Sequence, residues 1–231
     1  PMGSTDEVAV VTLNRHQSVM NLYKVSTRST VASLLLQEKT EKYLPESSYT
    51  TLEFHPNGFV ILSDRTGFKH LYYYWLNGTL QRTLTSGDFD VTASYGYDEK
   101  TGKTYFQAAN ESPLRRNVCV TDKKGKLQSL TAEKGTHGAV FSTNFKYYLH
   151  SFGNITTPTI SSLKETSGKT LKVLIDNKKV KERIEKLSGQ QEFFTFKTSE
   201  GVELNGWMMK PRSFDASKKY PGIMYQYSGP G

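Results

Sequence analysis

Hydrophobic and polar positions alternate with a period of two from Val8 to Ile175, in runs rich in β-branched and aromatic residues, and Gly, Asn, Asp or Pro interrupts the runs every eight to twelve residues. Successive side chains of a strand point to opposite faces, so this pattern predicts a region that is nearly all strand. The predicted strands are Glu7 to Asn14, Met20 to Ser26, Thr30 to Gln37, Thr50 to His55, Phe59 to Asp64, His70 to Trp75, Thr79 to Thr85 and Phe89 to Tyr97. The rhythm continues through Thr104 to Asn110, Asn117 to Asp122, Lys126 to Thr131, Ala139 to Ser142, Tyr147 to Phe152, Thr159 to Leu163 and Thr170 to Ile175.

A repeat runs through the series. Val31-Ala-Ser-Leu-Leu, Leu80-Gln-Arg-Thr-Leu-Thr (one residue longer), Leu127-Gln-Ser-Leu-Thr and Leu171-Lys-Val-Leu-Ile recur at intervals of 49, 47 and 44 residues. Four strands per unit at that spacing predict three to four blades of a β-propeller, in which each blade needs neighbours to bury its faces. A sandwich of short strands fits the same alternation. Asn77-Gly78 and Lys124-Gly125 supply turns for the hairpins that close two of the units.

The period changes after Ile175. Val180, Ile184 and Leu187 fall at i, i+4 and i+7, which predicts a helix over 178–187 with one apolar face and a solvated basic back. Beyond Ser188-Gly189 the strands no longer repeat: Glu192 to Lys197, Val202 to Lys210, and a buried strand from Tyr220 to Tyr227. We therefore expect one domain over 1–187 and the beginning of another over 188–231.

Composition narrows the function classes. The net charge of +8 would suit a nucleic-acid partner, but half of it comes from eight Lys/Arg against four Asp/Glu between Lys164 and Lys186, and no aromatic–basic interleaving accompanies it. Nucleic-acid binding is not expected. The sequence has no apolar run of 18 residues and no signal-peptide pattern at its start, so no membrane span is expected in this segment. Cys119 is the single cysteine, which rules out an internal disulfide. It reads as a small strand residue, since nothing beside it would make a catalytic thiolate. The histidines, His16, His55, His70, His137 and His150, all fall on strands or turns of the repeat region and read as structural.

Several segments resemble the dipeptidyl peptidase IV branch of the prolyl oligopeptidase family. Leu204-Asn-Gly-Trp-Met-Met-Lys-Pro-Arg-Ser-Phe-Asp and Lys218-Lys-Tyr-Pro-Gly-Ile-Met-Tyr-Gln-Tyr-Ser-Gly-Pro are similar to the opening strands of that family's α/β-hydrolase domain. Leu62-Ser-Asp-Arg-Thr-Gly-Phe-Lys-His-Leu-Tyr, Leu84-Thr-Ser-Gly-Asp-Phe-Asp-Val, Leu130-Thr-Ala-Glu-Lys-Gly-Thr-His and Leu13-Asn-Arg-His-Gln resemble its propeller segments. The resemblance implies a mainly β fold: a partial propeller over 1–187 holding the late blades, then over 188–231 the truncated start of a hydrolase domain. It implies a parent serine peptidase, exported to the periplasm or cell surface, that releases dipeptides from peptides carrying Pro or Ala second. The lack of the cysteine pairs of animal members points to a bacterial one. No metal or organic cofactor is implied, and the parent has the option of pairing as a homodimer through propeller and hydrolase domain.

The resemblance also places the chemistry. No Gly-x-Ser-x-Gly occurs here, and the Ser-Asp-His triad is expected beyond Gly231, so the segment by itself should be inactive. The glutamates that hold the substrate's α-amine are expected before Pro1. Tyr227 stands where the family carries its oxyanion-hole tyrosine, whose hydroxyl donates to developing negative charge. Where mammalian-type members carry a Phe-Arg pair, this chain has Ser47-Ser48, and Tyr43 and Tyr49 are the candidates for the rim of the substrate pocket, with packing on their own blade as the competing role. A rival class is a non-catalytic propeller that binds protein or glycan. A Gly-x-Ser-x-Gly in the reading frame downstream of Gly231 would separate the peptidase from that rival.

Overall fold

The computed structural model describes residues 2, 6–189 and 191–226. The first sheet is β1 (Glu7–Leu13), β2 (Val19–Ser26) and β3 (Ala32–Lys39), and a short helix α1 (Ser47–Thr50) leads to the second, β4 (Glu53–Phe54), β5 (Gly58–Ser63), β6 (His70–Trp75) and β7 (Leu80–Thr83). The third is β8 (Val91–Asp98), β9 (Lys103–Ala108), β10 (Asn117–Thr121) and β11 (Leu127–Ser129), and the fourth is β12 (Thr136–Phe141), β13 (Tyr147–Asn154), β14 (Thr157–Glu165) and β15 (Thr170–Ile175). Each is an antiparallel meander with strands in sequence order, the arrangement of propeller blades. The recurring motifs mark the closing strands: Val31 directly precedes β3, Leu80 and Leu127 open β7 and β11, and Leu171 is the second residue of β15.

Period-two alternation does more here than separate core from solvent. β5 is buried along its whole length, so both of its faces pack against protein. Phe59 and Ile61, with Tyr72 and Tyr74 of β6, join Met20, Leu22 and Leu35 of the first sheet in one apolar cluster. The intervening Val60 and Leu62, with Leu71 and Tyr73, join Val91, Phe106, Ala108 and Cys119 of the third sheet in another. Consecutive residues of one strand thus serve opposite neighbours, each fully buried aliphatic or aromatic side chain contributing about 1.5–3 kcal/mol. Aromatic rings close the next seam, where Phe141 of β12 meets Tyr95 and Tyr105 at centroid distances of 5.7 and 4.8 Å.

Three expectations are corrected. Thr50 and Thr51 favour a strand from Thr50 to His55, but only Glu53–Phe54 is one. The chain leaves Pro45 in a turn, with Ser48 N donating to the Pro45 carbonyl at 2.9 Å, and continues as α1. The first sheet has three strands among the described residues, not four. The buried strand expected from Tyr220 to Tyr227 is absent over Tyr220–Gln226, where Ile223 and Tyr225 are 99% and 94% exposed. An apolar run becomes a strand only with a ladder partner, and no described strand pairs with it; Tyr227 itself lies outside the described residues.

The chain divides into two compact units, Pro1–Asn177 and Lys178–Gly231. In the second, α2 (Lys178–Leu187) occupies the predicted span and buries none of its residues. Arg212 donates from its guanidinium to the Lys186 carbonyl at the end of this helix. β16 (Gln191–Lys197) and β17 (Glu203–Met209) form a hairpin extended by the Lys210–Glu192 ion pair at 2.7 Å. The segment after it is a compact turn, in which Asp215 N donates to the Tyr220 hydroxyl at 3.0 Å and Phe214 stacks on Tyr220.

Candidate functional site

The link from β3 to β4 carries two of the residues singled out in the sequence. Leu44 anchors it, buried in the first apolar cluster with its N–H donating to the Gln17 carbonyl at 2.8 Å. Tyr49 packs its ring against the same cluster, while Tyr43 remains 48% exposed. The two tyrosines are therefore in different environments, and of the two Tyr43 is the one left exposed at the surface. Ser48, one of the two serines in place of Phe-Arg, is buried. Tyr227, the third candidate, lies outside the described residues.

The end of β3 leads into a polar network absent from the sequence-based expectations. Glu38 is only 7% exposed, yet it is fully engaged: Ser63 Oγ donates to its Oε2 at 3.0 Å and Arg65 pairs with its Oε1. Arg65 also donates from Nε to Ser63 Oγ at 3.0 Å and from Nη1 to the Tyr74 hydroxyl, and its guanidinium carbon lies 4.3 Å from the centre of the Tyr72 ring. Burial raises the Glu38 carboxyl above the usual range, because desolvation outweighs the attraction of Arg65. The network crosses from the first sheet to the second and fixes the plane of a partly exposed guanidinium. Its signal in the sequence was slight, since Glu38 and Arg65 are far apart and only their pairing in space explains a charge on a core-facing position.

Tyr72 also lines an open cavity of about 310 Å³, whose walls come from Thr66, Phe68, Thr83, Ser86 and Asp88. His70 lines it as well, with both nitrogens occupied, Nε2 donating to the Gly87 carbonyl at 2.9 Å and Nδ1 accepting from Thr85 Oγ1 at 3.1 Å. The ring holds the β7–β8 link in place and keeps no nitrogen for catalysis. His55 Nε2 lies 3.3 Å from Glu53 Oε1, with its ring edge-on to Tyr97. His137 and His150 bond to each other, and His16 is exposed on the β1–β2 turn. Cys119 is fully buried, and that burial pushes its thiol up to about 12, which keeps it protonated and unreactive at neutral pH. Among the described residues no group of three or more His, Cys, Asp or Glu is placed to hold a metal ion, and no helix is long and apolar enough to cross a membrane.

Comparison with known proteins connects this geometry to a family. The sequence profile of the dipeptidyl peptidase IV (DPP IV) N-terminal region matches residues 2–159. Dipeptidyl peptidase 4 of Arthroderma otae is 28% identical over 239 residues, covering 98% of this chain and 30% of the relative. The dipeptidyl peptidase 4 of Trichophyton rubrum is 27% identical over 236 residues, with the same coverage. Among solved structures, Porphyromonas gingivalis dipeptidyl peptidase 4 superposes with a TM-score of 0.88 at 39% identity over 94% of this chain and 31% of that one. A Bacteroides ovatus structure shares the fold, with a TM-score of 0.76 at 21% identity. The chain spans about 30% of the length of the curated relatives it matches.

Proposed function

This chain belongs to the dipeptidyl peptidase IV family, and from that premise we propose that it forms part of a serine dipeptidyl aminopeptidase that removes N-terminal dipeptides with Pro or Ala second. The observation that carries this reading is the likeness, along nearly the whole chain, to the Porphyromonas gingivalis dipeptidyl peptidase 4. In this reading the blades position the peptide, and residues 188–231 begin the α/β-hydrolase domain.

The reaction assigns separate tasks to the parts. A serine attacks the carbonyl of the second residue, a histidine takes its proton, and negative charge develops on the carbonyl oxygen. Tyr227 would donate its hydroxyl to that oxygen, a neutral donor that stabilises the transition state more than the ground state. Tyr43 would contact the peptide at the rim, and Tyr49 would hold the rim loop by packing beneath it. The parent would act outside the cytoplasm, in the periplasm or at the cell surface.

The test is expression of the complete reading frame and assay on a chromogenic dipeptide carrying Pro second. Release of the chromophore, abolished by a serine-directed phosphonylating reagent, supports the reading. A reading frame with no Gly-x-Ser-x-Gly after Gly231, and no release, overturns it.

A further inference from the structure

On the face that the fourth sheet turns toward the third, polar side chains form a hydrogen-bonded row that has no role in the proposed reaction. His137 of β12 is fully buried, and its Nε2 lies 2.7 Å from the carbonyl oxygen of Glu133. A carbonyl only accepts, so that nitrogen carries the proton. Nδ1 of His137 is then an acceptor, and Nε2 of His150, 2.9 Å away on β13, donates to it. That leaves Nδ1 of His150 as an acceptor facing the Ser162 hydroxyl of β14 at 3.5 Å. Both rings are neutral in this arrangement, and each tautomer is set by the one before it.

The row lies within the fourth sheet, beside a seam that backbone groups of β12 bridge. Gln107 of β9 donates to the His137 carbonyl, the Tyr95 hydroxyl of β8 accepts from Ala139 N at 3.2 Å, and the rings of His137 and Phe152 stack at 4.7 Å. An added proton has one place to go, Nδ1 of His150. Lys164, on the same face of β14, and His137 both disfavour a charge there. Tyr148 on β13 and, from the third sheet, Tyr95 and Tyr105 are neutral groups whose ionisation burial suppresses. Two carboxylates attract from a distance: Glu133, which meets the row through its backbone carbonyl, and Glu111, which pairs with Arg115 at 4.0 Å. None of the hydrogen bonds to either ring comes from a carboxylate.

We propose that the His137–His150 pair is an acid-operated release within the fourth sheet: neutral, it ties β12 to β13, and protonated, it lets these two strands open. Burial holds His137 below the ordinary histidine value and, with Lys164 and His137, brings His150 down to about 4. Opening restores the ordinary value, so protons bind the open state preferentially. The closed state is fully favoured above about pH 6.5 and loses ground as the pH falls toward 4. His150 alone then raises the opening constant roughly twentyfold between pH 7 and pH 5.

Hydrogen exchange on the whole chain, corrected for the intrinsic pH dependence of the chemistry, tests this directly. The expected result is a rise of roughly that size at Thr136–Phe141 and Tyr147–Asn154, with Gly58–Ser63 unchanged. In His150→Gln an amide donates to His137 Nδ1 but takes up no proton, and the rise at those segments should flatten. A uniform or absent rise in the wild type, or the same rise in a folded His150→Gln, overturns the proposal. Should that variant fail to fold, nitrogen NMR of the wild-type imidazoles decides: a neutral Nε2–H tautomer of His150 at pH 5.5 supports the proposal, and a ring half-protonated near pH 6.5 overturns it.

Discussion

A β-carbon placed on Gly78 would stand 2.1 Å from the carbonyl oxygen of Leu35, so the hairpin turn of the second sheet rests directly on the backbone of the first. Gly78 has φ of 84°, and Gly125, at the matching turn of the third sheet, has φ of 80° with nothing within 4 Å of its own added β-carbon. The two turns share a backbone conformation and differ only in what lies against them. Gly125→Ala should cost about 1 kcal/mol, the strain of a left-handed residue. Gly78→Ala should cost at least about 2 kcal/mol more, because backbone must move. Urea unfolding of the two variants gives the difference, and equal costs would show that the first sheet yields freely.

Arg65 and Glu38 make a pH-dependent pair. Arg65→Met leaves a buried carboxylate without its cation, a loss of about 2–4 kcal/mol at pH 7 after allowance for the partial exposure of Arg65. The Glu38 carboxyl is already raised above its usual value by burial, so the folded state holds its proton more tightly than the unfolded chain does. Acid therefore restores the variant: its deficit should shrink as the pH falls from 7 to 4, measured by urea midpoints at each pH. A deficit constant with pH would mean that lost packing on Tyr72, not charge, sets the cost.

Cys119 should ignore thiol reagents in the native protein at pH 8 and react fully once unfolded, since its burial holds the thiol at about 12. Its rate of labelling then reports opening of the third sheet, and Cys119→Ala should cost about 1 kcal/mol in that apolar surrounding.

For the complete enzyme, Tyr227→Phe should lower kcat on a Pro-containing dipeptide substrate about a hundredfold with little change in KM, the pattern for a donor that acts on developing charge. Unchanged kcat would remove Tyr227 from the oxyanion site.

Strands were legible from alternation whether or not both faces pack: β6, mostly buried, and β15, exposed along its whole length, both start and end at the predicted residues. The misreading at Thr50–His55 came from β-branched residues whose preference lost to the turn at Pro45 and the anchoring of Tyr49. The partnerships between sheets were hidden, because periodicity assigns a face but not a neighbour: nothing local pairs Glu38 with Arg65. His137 and His150 were within reach. With a turn at Asn144-Phe145, β12 and β13 pair Phe141 with Tyr148 and Ala139 with His150, which brings His137 diagonally beside His150 on one face.

The alternation along β5 and β6 has a consequence for how such chains change over time. Because odd and even positions of one strand answer to different neighbours, a duplicated or deleted blade brings together two surfaces that never met, and each must already match the other in size. Drift in one blade is therefore correlated with drift on both sides of it, position by position, and a transplanted blade would need its parity partners transplanted with it.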